Sequence, residues 1–146
     1  MKVMILDDDP LILSLLVNIF HRRGYEIVTY SNPTVCPLYS IEASPGRKDE
    51  ICPSVIISDY DMPFVNGVEF IETLHRKGCQ CPHIALVSGS FPEQEHLERV
   101  AKLGIKFFAK PLHGNQISDW LDQIETKLHS GGQPCLPAAT GTVQSE

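Results

Sequence analysis

No apolar run in this chain approaches the roughly 18 residues that a bilayer-spanning helix needs. Positive charge is also short: 12 Lys and Arg face 18 Asp and Glu, a formal net charge of −6. No basic patch is available to neutralise a phosphate backbone, which argues against nucleic acid as a partner. An acidic surface is equally ill matched to anionic membrane. Met1-Lys2 leads directly into Val3-Met4-Ile5-Leu6 and three aspartates, without the long apolar core of a signal peptide, and a cytoplasmic setting is expected. The five cysteines, Cys36, Cys52, Cys79, Cys81 and Cys135, are odd in number and lack a paired framework, so they read as reduced thiols. Cys79, Cys81 and His83 fall within five residues but lack the second ligand pair of a structural zinc site, which leaves a thiol-bearing loop before a strand.

What the chain does have is four short apolar runs that each stop at a residue suited to phosphate chemistry. Val3–Leu6 runs into Asp7, Asp8 and Asp9; Ser54–Ser58 runs into Asp59, Tyr60, Asp61, Met62 and Pro63. Ile84–Val87 delivers Ser88, and Phe107–Ala109 delivers Lys110 and Pro111. As parallel strands, these runs would release all their polar groups at one sheet edge, where open α/β sheets bind ligands.

The periodicity alternates strand and helix five times, the pattern of a parallel sheet with helices on both faces. Asp9 is suited to cap the first helix, with Pro10 at its first position and a stripe of Ile12, Leu15, Leu16, Ile19 and Phe20. Tyr25–Tyr30 reads as the second strand. Residues 31–53 are irregular: Ser31 or Asn32 with Pro33 looks like a helix start, Pro37 interrupts it, and a short helix is expected around 38–43. Val68, Phe70, Ile71 and Leu74 mark a helix ending near Gly78; Leu97, Val100 and Ala101 are the expected inward face of the next, opened by Pro92. The last helix carries Ile117, Leu121, Ile124 and Leu128. Residues 1–129 form the expected domain, and 130–146 read as a disordered tail.

The order of these motifs resembles the response-regulator receiver domain of two-component signalling. The resemblance covers roughly residues 2–129: an acidic group after strand one, Asp59-x-Asp61-Met62-Pro63 with Asn66-Gly67 after strand three, a hydroxyl after strand four and Lys-Pro after strand five. It implies a flavodoxin-like five-stranded parallel sheet in the order 2-1-3-4-5, with strands one and three adjacent. Carboxylates about 4 Å apart repel by ~4 kcal/mol at an effective dielectric near 20. A hard divalent cation with oxygen ligands offsets that repulsion, and Mg²⁺ suits such a donor set.

Carried over by position, the resemblance makes Asp59 the phosphoacceptor. Asp8 becomes the direct carboxylate ligand of Mg²⁺, Asp7 one that acts through water, and Asp61 a ligand through its backbone carbonyl, beside Asp59 itself. Ser88 would hydrogen-bond the phosphoryl group, Lys110 would pair with one of its oxygens, and Pro111 would follow a cis bond. Ser88 and Phe107 would form the switch, although Phe107 lacks a hydroxyl with which to make a new hydrogen bond. The implied partners are a sensor histidine kinase or phosphotransfer protein upstream and a protein effector downstream. The effector surface is expected around the helix after strand four, strand five and the last helix. A monomer is expected, with dimerisation on phosphorylation as the variant. The implied role is signalling, not conventional enzymology.

Two other classes share these residues. An Asp-x-Asp phosphatase would use Asp59 and Asp61 as nucleophile and acid, but that motif normally follows the first strand. A receiver-shaped binding module that is never phosphorylated would have no use for Asp7, Asp8, Asp59, Ser88 and Lys110 together. The six histidines are scattered without a helix-face phosphorelay motif and read as solvated or packing residues.

Overall fold

The alternating apolar runs build a parallel sheet, seen in a computed structural model that describes residues 1–36, 39, 52–62, 65–90 and 92–129. The strands are β1 (Lys2–Leu6), β2 (Glu26–Tyr30), β3 (Val55–Asp59), β4 (His83–Ser88) and β5 (Lys106–Ala109). Their order is β2-β1-β3-β4-β5, every pairing parallel, which is the flavodoxin-like arrangement. The described helices are α1 (Pro10–Arg22), α2 (Gly67–Arg76), α3 (Gln94–Leu103) and α4 (Gly114–His129), with a 3₁₀ turn at Pro33–Val35.

The two faces of the sheet are covered by different helices. Met4, Leu6, Ile56 and Leu86 share one buried cluster with Val68, Ile71 and Leu74 of α2 and Val100 of α3. Side chains alternate along a strand, so Val3, Ile5, Val55 and Ile57, all buried, face the other way. The α1 helix packs on β1 and β2 and buries Leu16 and Phe20. The strand order runs outward in both directions from the β1/β3 pair, and the right-handed crossovers that parallel sheets favour then put the connecting helices on opposite faces. Met1–Gly114 forms one compact unit. The chain from Asn115 onward belongs to a second, in which Ile117, Leu121 and Ile124 are buried at helical spacing.

Local expectations met mixed outcomes. Asp9 caps α1 by accepting from the Leu11 N–H at 3.0 Å, and Pro10 takes the first helical position. Of Ser31 and Asn32 it is Asn32 that caps, but the element it opens at Pro33 is a 3₁₀ turn of three residues rather than a helix. Pro92 precedes α3 by two residues, and Glu93 stands at the cap without a side-chain capping bond. Ala101 is exposed, not inward. Val100 is the buried residue of α3, with Leu103, three positions on, partly buried against the same cluster and Leu97 of intermediate burial. The expected helix at 38–43 and the tail at 130–146 lie outside the described residues, apart from Tyr39. Among the described residues, no helix is long and apolar enough to cross a membrane.

Candidate functional site: an acidic cluster at the carboxyl edge of the sheet

Parallel pairing puts Leu6 beside Ser58 and Asp59 beside Val87, so the first residues past β1 and the last of β3 meet at one rim. Oxygens of Asp7, Asp8 and Asp59 all lie within 4.8 Å of one another. Asp7 and Asp59 are nearly sealed from solvent, at 2% and 5% exposure, whereas Asp8 is exposed. Lys110 reaches in from the end of β5. Its Nζ is 3.7 Å from Asp7 Oδ2 and 3.6 Å from Asp59 Oδ2.

Local backbone bonds hold these carboxylates in place. Asp7 Oδ1 accepts from the Asp9 N–H at 2.9 Å, and Asp59 Oδ1 accepts from the Asp61 N–H at 3.1 Å. One oxygen of each is therefore tied to its own loop, while the other faces Lys110. The Lys110 N–H in turn donates to the Ser88 carbonyl at 2.7 Å, and the Lys110–Pro111 bond is cis.

One ammonium does not balance three carboxylates of which two are buried. Burial, then the neighbouring Asp7 charge, push Asp59 up to about 6, against the opposing pull of Lys110. Asp7 is also raised, mainly by burial. The donor set is entirely hard oxygen, which fits Mg²⁺ and not a softer metal. Asp7, Asp8 and Asp59 are the carboxylates that could hold such an ion. The Asp61 side chain points elsewhere, its Oδ2 lying 3.4 Å from both Ser88 Oγ and Ser90 Oγ.

Ser88 closes the rim from β4. It is 1% exposed; its hydroxyl donates to the Ser90 carbonyl at 2.8 Å and accepts from the Ser90 N–H at 3.1 Å. Phe107 lies beside Leu86 in the sheet and is partly buried against the α2/α3 cluster. Gly67 explains why glycine follows Asn66. A Cβ there would meet the Asp59 carbonyl oxygen at 2.7 Å and Leu86 Cδ2 at 2.8 Å. Its N–H donates to the Tyr60 carbonyl at 2.7 Å, and Asn66 caps α2 through the Glu69 N–H at 2.9 Å. The helix thus starts directly on the end of β3.

Two residues outside the expected set join this region. The Tyr60 hydroxyl hydrogen-bonds Nδ1 of His96 on α3, with the rings edge to face at 5.5 Å. Nothing local in the sequence announces that contact, which spans 36 positions.

A family model for the response regulator receiver domain matches residues 3–122, and the chain belongs to that family. Its members are receiving modules of two-component systems; a phosphorylated aspartate and Mg²⁺ are general features of the family. Among curated relatives, the hybrid signal transduction histidine kinase C of Dictyostelium discoideum is 32% identical over 76 residues, 52% of this chain and 6% of that protein. The two-component response regulator PprB of Pseudomonas aeruginosa is 26% identical over 130 residues, 88% of this chain and 45% of the relative. The chain thus spans less than half the length of either relative. Among solved structures, the chemotaxis protein CheY4 of Vibrio cholerae superposes with a TM-score of 0.64 at 21% identity, covering 84% of this chain and 97% of that one. A receiver domain protein from Methanospirillum hungatei gives 0.65 at 20% identity, covering 88% and 94%. These structures share the fold.

Proposed function

We propose that this chain is a phosphorylation-dependent signal receiver acting in the cytoplasm, with Asp59 as its phosphoacceptor. The single observation that carries the reading is a buried carboxylate with Asp7 and Asp8 on one side and the Lys110 ammonium 3.6 Å away on the other.

In the proposed reaction, an oxygen of Asp59 attacks the phosphorus of a phosphohistidine on a sensor kinase or phosphotransfer protein. The P–N bond breaks, the imidazole leaves, and an aspartyl phosphate remains. Phosphoryl transfer needs alignment and charge neutralisation more than covalent assistance from the protein. The Asp61 N–H holds one Asp59 oxygen at 3.1 Å and leaves the other for attack. Lys110 neutralises charge on the transferred group, and Ser88 exchanges its bond to Ser90 for one to a phosphoryl oxygen. Asp7, Asp8, Asp59 and the Asp61 carbonyl would hold Mg²⁺, which when bound supplies the remaining positive charge.

The output is a change in a protein-binding surface on α3 and β5, as phosphorylation biases a pre-existing equilibrium through Ser88 and Phe107. Acetyl phosphate with Mg²⁺ tests the reading directly. Intact mass should rise by one phosphoryl group, and Asp59→Asn should abolish the rise. An unmodified mass in the wild type would favour a receiver-shaped module that is never phosphorylated.

A further inference from the structure

Two cysteines from different elements meet at the opposite edge of the sheet from the acidic cluster. Cys52 lies in the segment entering β3, which is pinned to β1 where the Ser54 N–H donates to the Lys2 carbonyl at 2.8 Å. Cys79 lies just past α2, where its N–H donates to the Leu74 carbonyl at 3.0 Å and Gly78, at φ 94°, turns the chain out of the helix. Cys79 is thus anchored by its own backbone, and Cys52 stands two residues before an anchored one. The two sulfurs stand 2.9 Å apart, within 1 Å of the ~2.05 Å length of a disulfide bond, and both residues are half-buried.

The third nearby thiol, close enough to Cys52 and Cys79 to feel their charge, has a partner of its own. Cys81 Sγ points to the His83 carbonyl at 3.5 Å. Among the described residues, Asp7, Asp8 and Asp59 are the group with metal-binding geometry, and no cysteine belongs to it. The pair is arranged for bonding to each other.

We infer that Cys52 and Cys79 are a redox modification site that closes to a reversible intramolecular disulfide when a small-molecule disulfide is the oxidant. One protein thiolate attacks the small disulfide, whose S–S bond breaks and releases one thiol. The second protein thiolate attacks the mixed disulfide and releases the other. Two S–H bonds are lost, one S–S bond forms, and the two electrons and two protons end on the two released thiols. The Cys52 thiol beside it, and then burial, hold Cys79 above the usual thiol range, so the first attack is slow at neutral pH and faster in alkaline buffer.

The bond would join positions 27 apart and enclose β3, Asp59 and α2 in one covalent ring. Such a staple restricts the unfolded chain and stabilises the folded one. Its place at the far edge leaves the acidic cluster as it is, so oxidation is read independently of phosphorylation.

The full chain, reduced and desalted, is incubated with oxidised glutathione in alkaline buffer, quenched and alkylated. The expected product is two hydrogens lighter, keeps three of the five thiols open to alkylation, and reverts with dithiothreitol. Its melting temperature should exceed that of the reduced form by about 5–10 °C. Cys81→Ser should form the same bond, whereas Cys52→Ser and Cys79→Ser should not. Full alkylation of all five cysteines, a stable glutathione adduct without an internal bond, or an internal bond that survives either of the last two substitutions would each overturn the assignment. Peptide mapping of the oxidised wild type locates the bond between Cys52 and Cys79, so the outcome does not depend on how well a variant folds; a bond mapped to any other pair would also overturn the assignment.

Discussion

Tyr60 and His96 join the residue after Asp59 to the first turn of α3 by a hydrogen bond between the phenol hydroxyl and imidazole Nδ1. Tyr60 is 7% exposed, and its hydroxyl is shared between that imidazole and a backbone hydrogen bond from Glu93, which precedes α3. A second link runs alongside, where the Arg99 guanidinium of α3 grips both carboxylate oxygens of Glu72 on α2. The α3 helix is thus tied both to the site and to its neighbour. We expect Tyr60→Phe to lower unfolding stability by about 1 kcal/mol in urea titration. Because the lost contact is on α3, hydrogen exchange should rise in residues 94–103 more than in α1. Equal protection in the two helices would show that the bond does not hold α3.

The raised Asp59 carboxyl makes a prediction about pH. Its folded value, about 6, lies above the 3.8 of an ordinary aspartate. Folding therefore binds this proton more tightly. The contribution is complete below about pH 4 and is lost as pH rises through 6. At about 1.4 kcal/mol per pH unit, the deficit at neutral pH is about 3 kcal/mol. Without divalent cation, Asp59→Asn should melt higher than wild type at pH 7.5, and the gap should close toward pH 4. Adding Mg²⁺ should raise the melting temperature of the wild type more than that of the variant. A gap that does not change with pH would remove the crowded-carboxylate account.

Gly67 is where the site and the fold make the same demand. A methyl group there would press on the Asp59 carbonyl and Leu86, and the nearer obstacle is backbone that cannot turn aside. Gly67→Ala should therefore cost about 1–3 kcal/mol despite alanine's better helix propensity. Denaturant melts give the sign at once. A stabilised Gly67→Ala would mean that α2 can lift off β3 without penalty.

The convergence of Asp7, Asp8, Asp59 and Lys110 was legible in the sequence because parallel strands end at one edge, so a residue just past any run is carried there whatever the loops do. The sheet order followed from the resemblance, and the strand bounds moved by only a residue or so, as with Asp59 closing β3 instead of following it. Contacts set by the packing of one element on another were not legible. Tyr60 with His96, Cys52 with Cys79 and Glu72 with Arg99 are separated by 36, 27 and 27 positions, and no local pattern specifies which side chains two helices or loops will present to each other. Ala101 shows the same limit on a smaller scale. It stands four residues after Leu97 and so fits a helical stripe, yet it is exposed, and Val100 and Leu103 are the α3 residues that pack on the core cluster.

Lys110 offers the sharpest test of how the site does its chemistry. Its ammonium lies within 3.7 Å of both buried carboxylates and is the cation that the chain itself supplies to them. Replacing it with alanine leaves its backbone bond to Ser88 intact, since that bond is made by the main-chain N–H. The fold should hold, while Asp59 is left more basic and its transferred phosphoryl less neutralised. Phosphorylation by acetyl phosphate should slow by about 10²-fold, the usual cost of removing one preorganised charge-stabilising donor. Lys110→Arg should recover only part of the rate, because a planar guanidinium cannot occupy the same point between Asp7 and Asp59. A wild-type rate in Lys110→Ala would place charge neutralisation elsewhere and reduce the 3.6 Å contact to a structural ion pair.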